Sequence, residues 1–172
     1  MWWPELRLAP AAALAFALLG LAACQVRPLY APASGEAGPV ADLPAISIDQ
    51  ALSREEQVYR NALLFELRGG DAGAAPRYNL IYRMTMREQP ILIERGTGTP
   101  NAYQLTGGVS FLLKDAATGT SLFGASVTAA DSYSRSSQNF ANIRARRDAE
   151  DRLATALAEL TRARLAAYFA TN

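Results

Sequence analysis

The sequence predicts an α+β fold: a two-layer sandwich in which a four-stranded mixed sheet carries two helices packed on one face, in the order strand–helix–strand–strand–strand–helix. Three observations lead there. Residues 77–89 and two later runs alternate between apolar and polar side chains, the period of a half-buried strand. A capped helical segment precedes those runs. The chain then closes in an Ala- and Leu-rich stretch, and neither proline nor glycine interrupts residues 125–172.

The first element, Leu43 to Asp49, sets Leu43, Ala45 and Ser47 against Ile46 and Ile48 and predicts a short strand. Ser53-Arg54-Glu55-Glu56 is a capping box, and Val58, Ala62 and Phe65 follow at helical spacing. Gly69-Gly70 supplies the stop, so a helix spans about Ser53 to Arg68. The next strand, 77–89, places Tyr78, Leu80, Tyr82, Met84 and Met86 on one face and Arg83, Thr85 and Arg87 on the other. Pro90 to Pro100 reads as a loose link with Gly96 and Gly98, although Ile91-Leu92-Ile93 could extend the strand. Tyr103 to Leu113 and Phe123 to Ala129 form a hairpin about the turn-rich Asp115–Thr120. Gly107-Gly108 inside the first of these suggests a bulge, a bend or a close backbone approach. Tyr78, Tyr82, Tyr103 and Phe111 read as core or cross-strand packing. From about Asn139 the period becomes helical, with Ala149, Leu153, Ala156, Leu157 and Leu160 in one stripe. About 28 residues of helix would run roughly 42 Å.

Two segments of different character precede this domain, which spans 43–172. Residues 1–23 have the parts of a secretory signal: Arg7, an apolar run from Leu8 to Leu21, then Ala22-Ala23 before Cys24. The run is short for a membrane span and broken by Pro4 and Pro10. Leu21-Ala22-Ala23-Cys24 resembles the lipobox of bacterial lipoproteins, in which the thiol is acylated and the chain cut just before it. An ordinary signal cut at an Ala-x-Ala site, or a short buried helix with a free thiol, is the alternative. Gln25 rather than Asp after the cysteine favours the outer membrane. Residues 24–42, with Pro28, Pro32, Gly35, Gly38 and Pro39, read as an extended tether.

The composition excludes much chemistry. There is no histidine, and Cys24 is the only cysteine, which removes His-based triads, Cys–His nucleophiles and most zinc sites. No Gly-x-Ser-x-Gly elbow is present and no acidic pair sits in a pocket-like apolar context. The sequence therefore predicts no catalytic residues, no metal and no cofactor. A net charge of +1 argues against a nucleic-acid binder. Lys114 is the only lysine, so the positive charge is almost wholly arginine, either from genome composition or because arginine suits bidentate phosphate contacts.

Cys24-Gln25-Val26-Arg27-Pro28-Leu29-Tyr30, the strand–helix–three strands–helix domain, and Tyr133 to Ala141 leading into the last helix together resemble the LptE family of lipopolysaccharide-assembly lipoproteins. Gln25-Val26 stands where the family often has Gly-Phe. The resemblance implies a chain anchored through Cys24 in the outer membrane, facing the periplasm. It also implies a plug inside the LptD β-barrel that binds lipopolysaccharide and makes or breaks no bond. The competing reading is an auxiliary outer-membrane lipoprotein of an ABC-type lipid transporter.

Lipid A phosphates would be met by arginine through charge-assisted bonds. Arg87 and Arg95, near the end of one strand and in its following loop, are candidates, as is Arg135 before the last helix. Solvated sheet-face charges paired with Glu88 or Glu94 are the plainer explanation for each. Arg144-Ala145-Arg146-Arg147, followed by Asp148, Glu150 and Asp151, reads first as a helical face of internal ion pairs.

Overall fold

The computed structural model describes residues 42–69, 74–93, 96, 98 and 100–171. Cys24, the leader, the tether up to residue 41 and Arg95 lie outside the described residues.

The α+β sandwich is as expected. Strands β1 (Ile46–Ile48), β2 (Tyr78–Ile93), β3 (Pro100–Asp115) and β4 (Ser121–Ser134) form one sheet in the order β1-β2-β3-β4. Helix α1 (Arg54–Arg68) joins β1 to β2, and α2 (Asn139–Thr171) closes the chain. β1 and β2 are parallel, a pairing that needs a crossover such as α1; the other two pairs are antiparallel.

The expected strand from Leu43 is shorter than the alternation suggests. Leu43–Ala45 is a single 3₁₀ turn, because Pro44 lacks an N–H for a ladder and the Ala45 N–H turns back to the Asp42 carbonyl at 3.1 Å. Leu43 and Ala45 are nonetheless both buried, along with Ile46 and Ile48.

In α1, Ser53 caps the helix by accepting the Glu56 N–H at 3.2 Å, and the Glu56 carboxylate reaches back to the Leu52 N–H at 2.7 Å. Gly69 ends it at φ 63°, with its N–H on the Phe65 carbonyl. The buried face is Tyr59, Leu63 and Leu67, one residue round from the expected Val58–Ala62–Phe65 stripe; Phe65 is 65% exposed. The rotation follows from a second partner. Tyr59 lies fully buried and donates its hydroxyl to Thr161 Oγ1 of α2 at 3.1 Å, so α1 faces α2 as well as the sheet.

The sheet's helix-side face carries Leu80, Leu105, Val109, Phe111, Leu113, Val127 and Tyr133 against Leu153 and Leu157 of α2. β3 runs in register past Gly107 without a bulge there. Instead the close approach is to α2: a Cβ on Gly107 would lie 2.9 Å from Leu157 Cδ1 and 3.2 Å from Leu153. Among the described residues no helix lies on the opposite face, which carries mainly small or polar side chains: Thr85, Thr106, Gly108, Ser110, Ser126 and Thr128.

Element lengths decide where the sheet is covered. β2 and β3 each have 16 residues, or roughly 50 Å of strand. α2 has 33 residues, longer than expected, and at about 50 Å it matches the strands it lies along. α1 has only 15, about 22 Å, so the far half of β2 extends beyond it.

Candidate functional site

That uncovered end of the molecule gathers its unusual side chains. β2 does not stop at residue 89 but continues through Ile91, Leu92 and Ile93, 51%, 57% and 59% exposed. Leu92 is in register with Ala102, and Ala102 with Ser134, so the end of β4 and the start of α2 belong to the same end. There Phe140 is 75% and Ile143 45% exposed. Among the described residues, half of the exposed large apolar side chains lie here. Scattered singly such residues mean little; gathered at one end they mark a contact surface.

Arginines share this surface. Phe140, Ile143, Arg144 and Arg147 follow the i, i+3, i+4, i+7 spacing of one helical face. Neither Arg144 nor Arg147 makes an ion pair among the described residues. The expected internal pairing applies to Arg146, held by Glu150 at 3.1 Å and Glu88 at 3.2 Å, and to Arg152, held by Asp148 and by Asp131 at 2.8 Å. The basic run is therefore split between one cation used to hold the fold, Arg146, and two left to solvent, Arg144 and Arg147.

A polar relay stiffens the end. The Arg135 N–H donates to the Asn101 carbonyl at 2.8 Å. Its guanidinium lies 5.3 Å from the Tyr103 ring centroid and donates to the Tyr103 hydroxyl at 3.2 Å. Tyr103 stacks on Tyr133 at 5.6 Å and 15°. The Tyr133 hydroxyl donates to one Glu88 oxygen, and Arg146 binds the other. Burial, with the Glu88 carboxylate accepting the phenol's hydrogen bond and opposing a second negative charge, pushes the Tyr133 phenol up to about 12. The following loop is clamped by Asn142, which accepts from the Ser136 N–H at 2.7 Å and donates to the Ser136 carbonyl at 2.8 Å.

The expected arginines fall in different places. Arg135 belongs to the apolar end, on the helix side of the sheet with Tyr103. Arg87 is exposed on the opposite face, in register with Thr106 and through it Ala130. The sheet stands between them, so they do not converge. Sequence reasoning missed Ile91–Ile93, Phe140 and Ile143 as a surface, and Arg144 and Arg147 as its cations. The signal was present in the aliphatic triplet beside a Gly-rich link and in the helical spacing after Gln138.

Elsewhere the surface offers little chemistry. Among the described residues no three His, Cys, Asp or Glu side chains converge as a metal site. An open hollow of about 500 Å³ beside the start of α1 is lined by Gln50, Leu52, Arg54, Gln57, Arg60 and Asn61. Arg60 is committed to the Asp49 carbonyl at 3.0 Å, and Arg54 to Asp151. No helix among the described residues is long and apolar enough to cross a membrane.

This combination, a short βαβ unit continuing into a long antiparallel meander with a terminal helix along it, recurs in solved structures of bacterial lipoproteins. A protein of Caulobacter crescentus CB15 described as a lipoprotein is 21% identical, with a TM-score of 0.65 over 78% of this chain and 97% of its own. A minor lipoprotein of Acinetobacter baumannii is 20% identical, with a TM-score of 0.54 over 71% of this chain and 90% of its own. The rare lipoprotein B of Shewanella oneidensis is 14% identical, with a TM-score of 0.51 over 74% of this chain and 92% of its own. These likenesses establish the fold. No curated protein matches by sequence. The lipopolysaccharide-assembly family, LptE, matches residues 43–165, nearly the whole folded domain, and the chain belongs to that family.

Proposed function

We propose that this LptE-family chain is an outer-membrane lipoprotein, anchored through an acylated Cys24, that seats as a plug in an LptD β-barrel and binds lipopolysaccharide during its assembly at the surface. The observation that carries the binding half is the apolar-and-arginine end. Lipopolysaccharide presents acyl chains beside phosphates. Ile91, Leu92, Ile93, Phe140 and Ile143 offer the first a surface, and Arg135, Arg144 and Arg147 offer the second charge-assisted donors. Arg95, a candidate from the sequence alone, lies outside the described residues. Arg87 meets the same ligand only where it extends round onto the open sheet face.

The plug half is supported by that open face. Its small polar side chains suit the wet lumen of a large barrel, where an apolar face would be poorly solvated. The residues between Cys24 and Asp42 would give the anchor its reach. A mild-detergent pull-down of the tagged full-length chain from its own outer membrane tests this reading. Retention of a large β-barrel in near-equal amount is expected. Retention of an inner-membrane ABC transporter complex with no barrel would overturn it.

A further inference from the structure

The strands sort their charges by face. Their three bases, Arg83, Arg87 and Lys114, all stand on the open face with Thr85, Thr106 and Ser110. Their three acids, Glu88, Asp115 and Asp131, all stand off it and are used within the fold. Glu88 takes the Tyr133 hydroxyl and Arg146, Asp131 takes Arg152, and Asp115 accepts the N–H groups of Ala117 at 3.0 Å and Thr118 at 2.8 Å. Arg83 and Arg87 are exposed, and none of the three bases makes an ion pair among the described residues. The open face is therefore basic, with no carboxylate of the strands to balance it.

Register spaces these cations evenly. Lys114 lies opposite Asn79, Arg83 is four residues further along β2, and Arg87 is four further again. Each step is about 13 Å, and the ladder spans roughly 27 Å. Beside the arginines the face is flat. Across β3 and β4, Arg83 is followed by Ser110 and Ser126, Thr85 by Gly108 and Thr128, and Arg87 by Thr106 and Ala130. Nothing there is larger than threonine. A Cβ on Gly108 would lie 3.5 Å from Thr85 Oγ1 and 3.8 Å from Thr128 Cγ2, so these side chains form one continuous surface.

We infer that this face docks on the inner wall of the barrel, and that the wall opposes Arg83, Arg87 and Lys114 with a strip of carboxylates. The inference rests on the plug reading and adds to it the chemistry of the contact. Unpaired cations in a row are complemented by anions in a row. A flat layer of small side chains lets a second sheet approach to the ordinary face-to-face distance of about 10 Å, which an arginine can bridge. The length of the ladder also matches a transmembrane barrel, whose apolar band is about 25 Å tall. An amphiphile fits this face worse. Between Arg83 and Arg87 it has no large apolar side chain to receive an acyl chain, whereas the end with Ile91, Leu92 and Phe140 has several. Arg87 then meets the wall, and Arg135, Arg144 and Arg147 keep lipopolysaccharide.

The test joins photo-crosslinking from position 85, between the two arginines, to pull-down of the tagged full-length chain, both from the native outer membrane. An adduct with a large β-barrel is expected, its crosslinked peptide carrying Asp or Glu. Arg83→Glu with Arg87→Glu should cut the barrel retained by roughly tenfold or more, with an unchanged circular dichroism spectrum. Arg83→Gln with Arg87→Gln, which removes charge without reversing it, should give a smaller loss. Exchanging the crosslinked carboxylate for arginine should restore retention to the Glu variant. A wild type that retains no barrel would overturn the plug reading and this inference with it. Full retention by the folded variants, an adduct from position 85 with lipopolysaccharide alone, or a crosslinked peptide without carboxylates would overturn the inference and leave the plug reading standing.

Discussion

Gly107 has no side chain because α2 occupies the space where one would begin. The leucines that fill it, Leu153 and Leu157, are fully buried, and the site has no slack to absorb extra atoms. Gly107→Val should therefore destabilise the domain by about 1–3 kcal/mol, read as a lower urea midpoint. An unchanged midpoint would mean that α2 is not seated as described. Tyr133 carries a second prediction at this scale. Its folded-state pKa is raised to about 12 above an ordinary 10.0, by burial and by Glu88. A raised folded-state value means that stability is fully present below the unfolded pKa and is lost as the pH climbs through the folded one. Stability should fall between pH 10 and 12, and Tyr133→Phe should make the fall shallower. Tyr82, whose phenol is also pushed up to about 12 by burial, keeps part of the slope in the variant.

Among the elements, the start of α2 separates charge spent in the fold from charge left exposed, which we propose meets lipopolysaccharide. Arg146 ties α2 to β2 through Glu88, while Arg144 and Arg147 face outward beside Phe140 and Ile143. Arg144→Glu with Arg147→Glu should weaken lipopolysaccharide binding by at least roughly tenfold and leave the unfolding midpoint in place. Arg146→Glu should lower the midpoint, because it sets a third carboxylate beside Glu88 and Glu150. The reverse pattern would undo the division. The period-two alternation on β2, β3 and β4 and the capping box of α1 could be read from the sequence, since both are local signals. The burial face of α1 could not, because the Tyr59–Thr161 bond spans distant parts of the chain. The extent of β2 was legible only as one of two readings: Pro90 and the glycines that follow suggest a loop, Ile91-Leu92-Ile93 suggests more strand, and pairing with β3 carries the strand on to Ile93. The candidate arginines were legible by type and only partly by place. Which face each occupies depends on long-range register, and register puts Arg87 and Arg135 on opposite sides of the sheet.

Across the whole molecule, the organising fact is a mismatch of lengths. α2 runs the length of β3 and β4, while α1 covers only the half of β2 next to β1, so at one end β2 extends beyond α1. That end collects aliphatic residues and two arginines, Arg144 and Arg147, with no ion pair among the described residues; the other closes in the tight Asp115–Thr120 turn, where Asp115 accepts from the Thr118 N–H at 2.8 Å. On the function we propose, the aliphatic end would meet lipopolysaccharide and the polar sheet face would meet the barrel wall. The most direct measurement is photo-crosslinking of lipopolysaccharide from single positions in the full-length chain within its native membrane. Adducts are expected from positions 92 and 140 and none from position 122, where Leu122 is exposed at the opposite end. Adducts from 122, or none from 92 and 140, would contradict it.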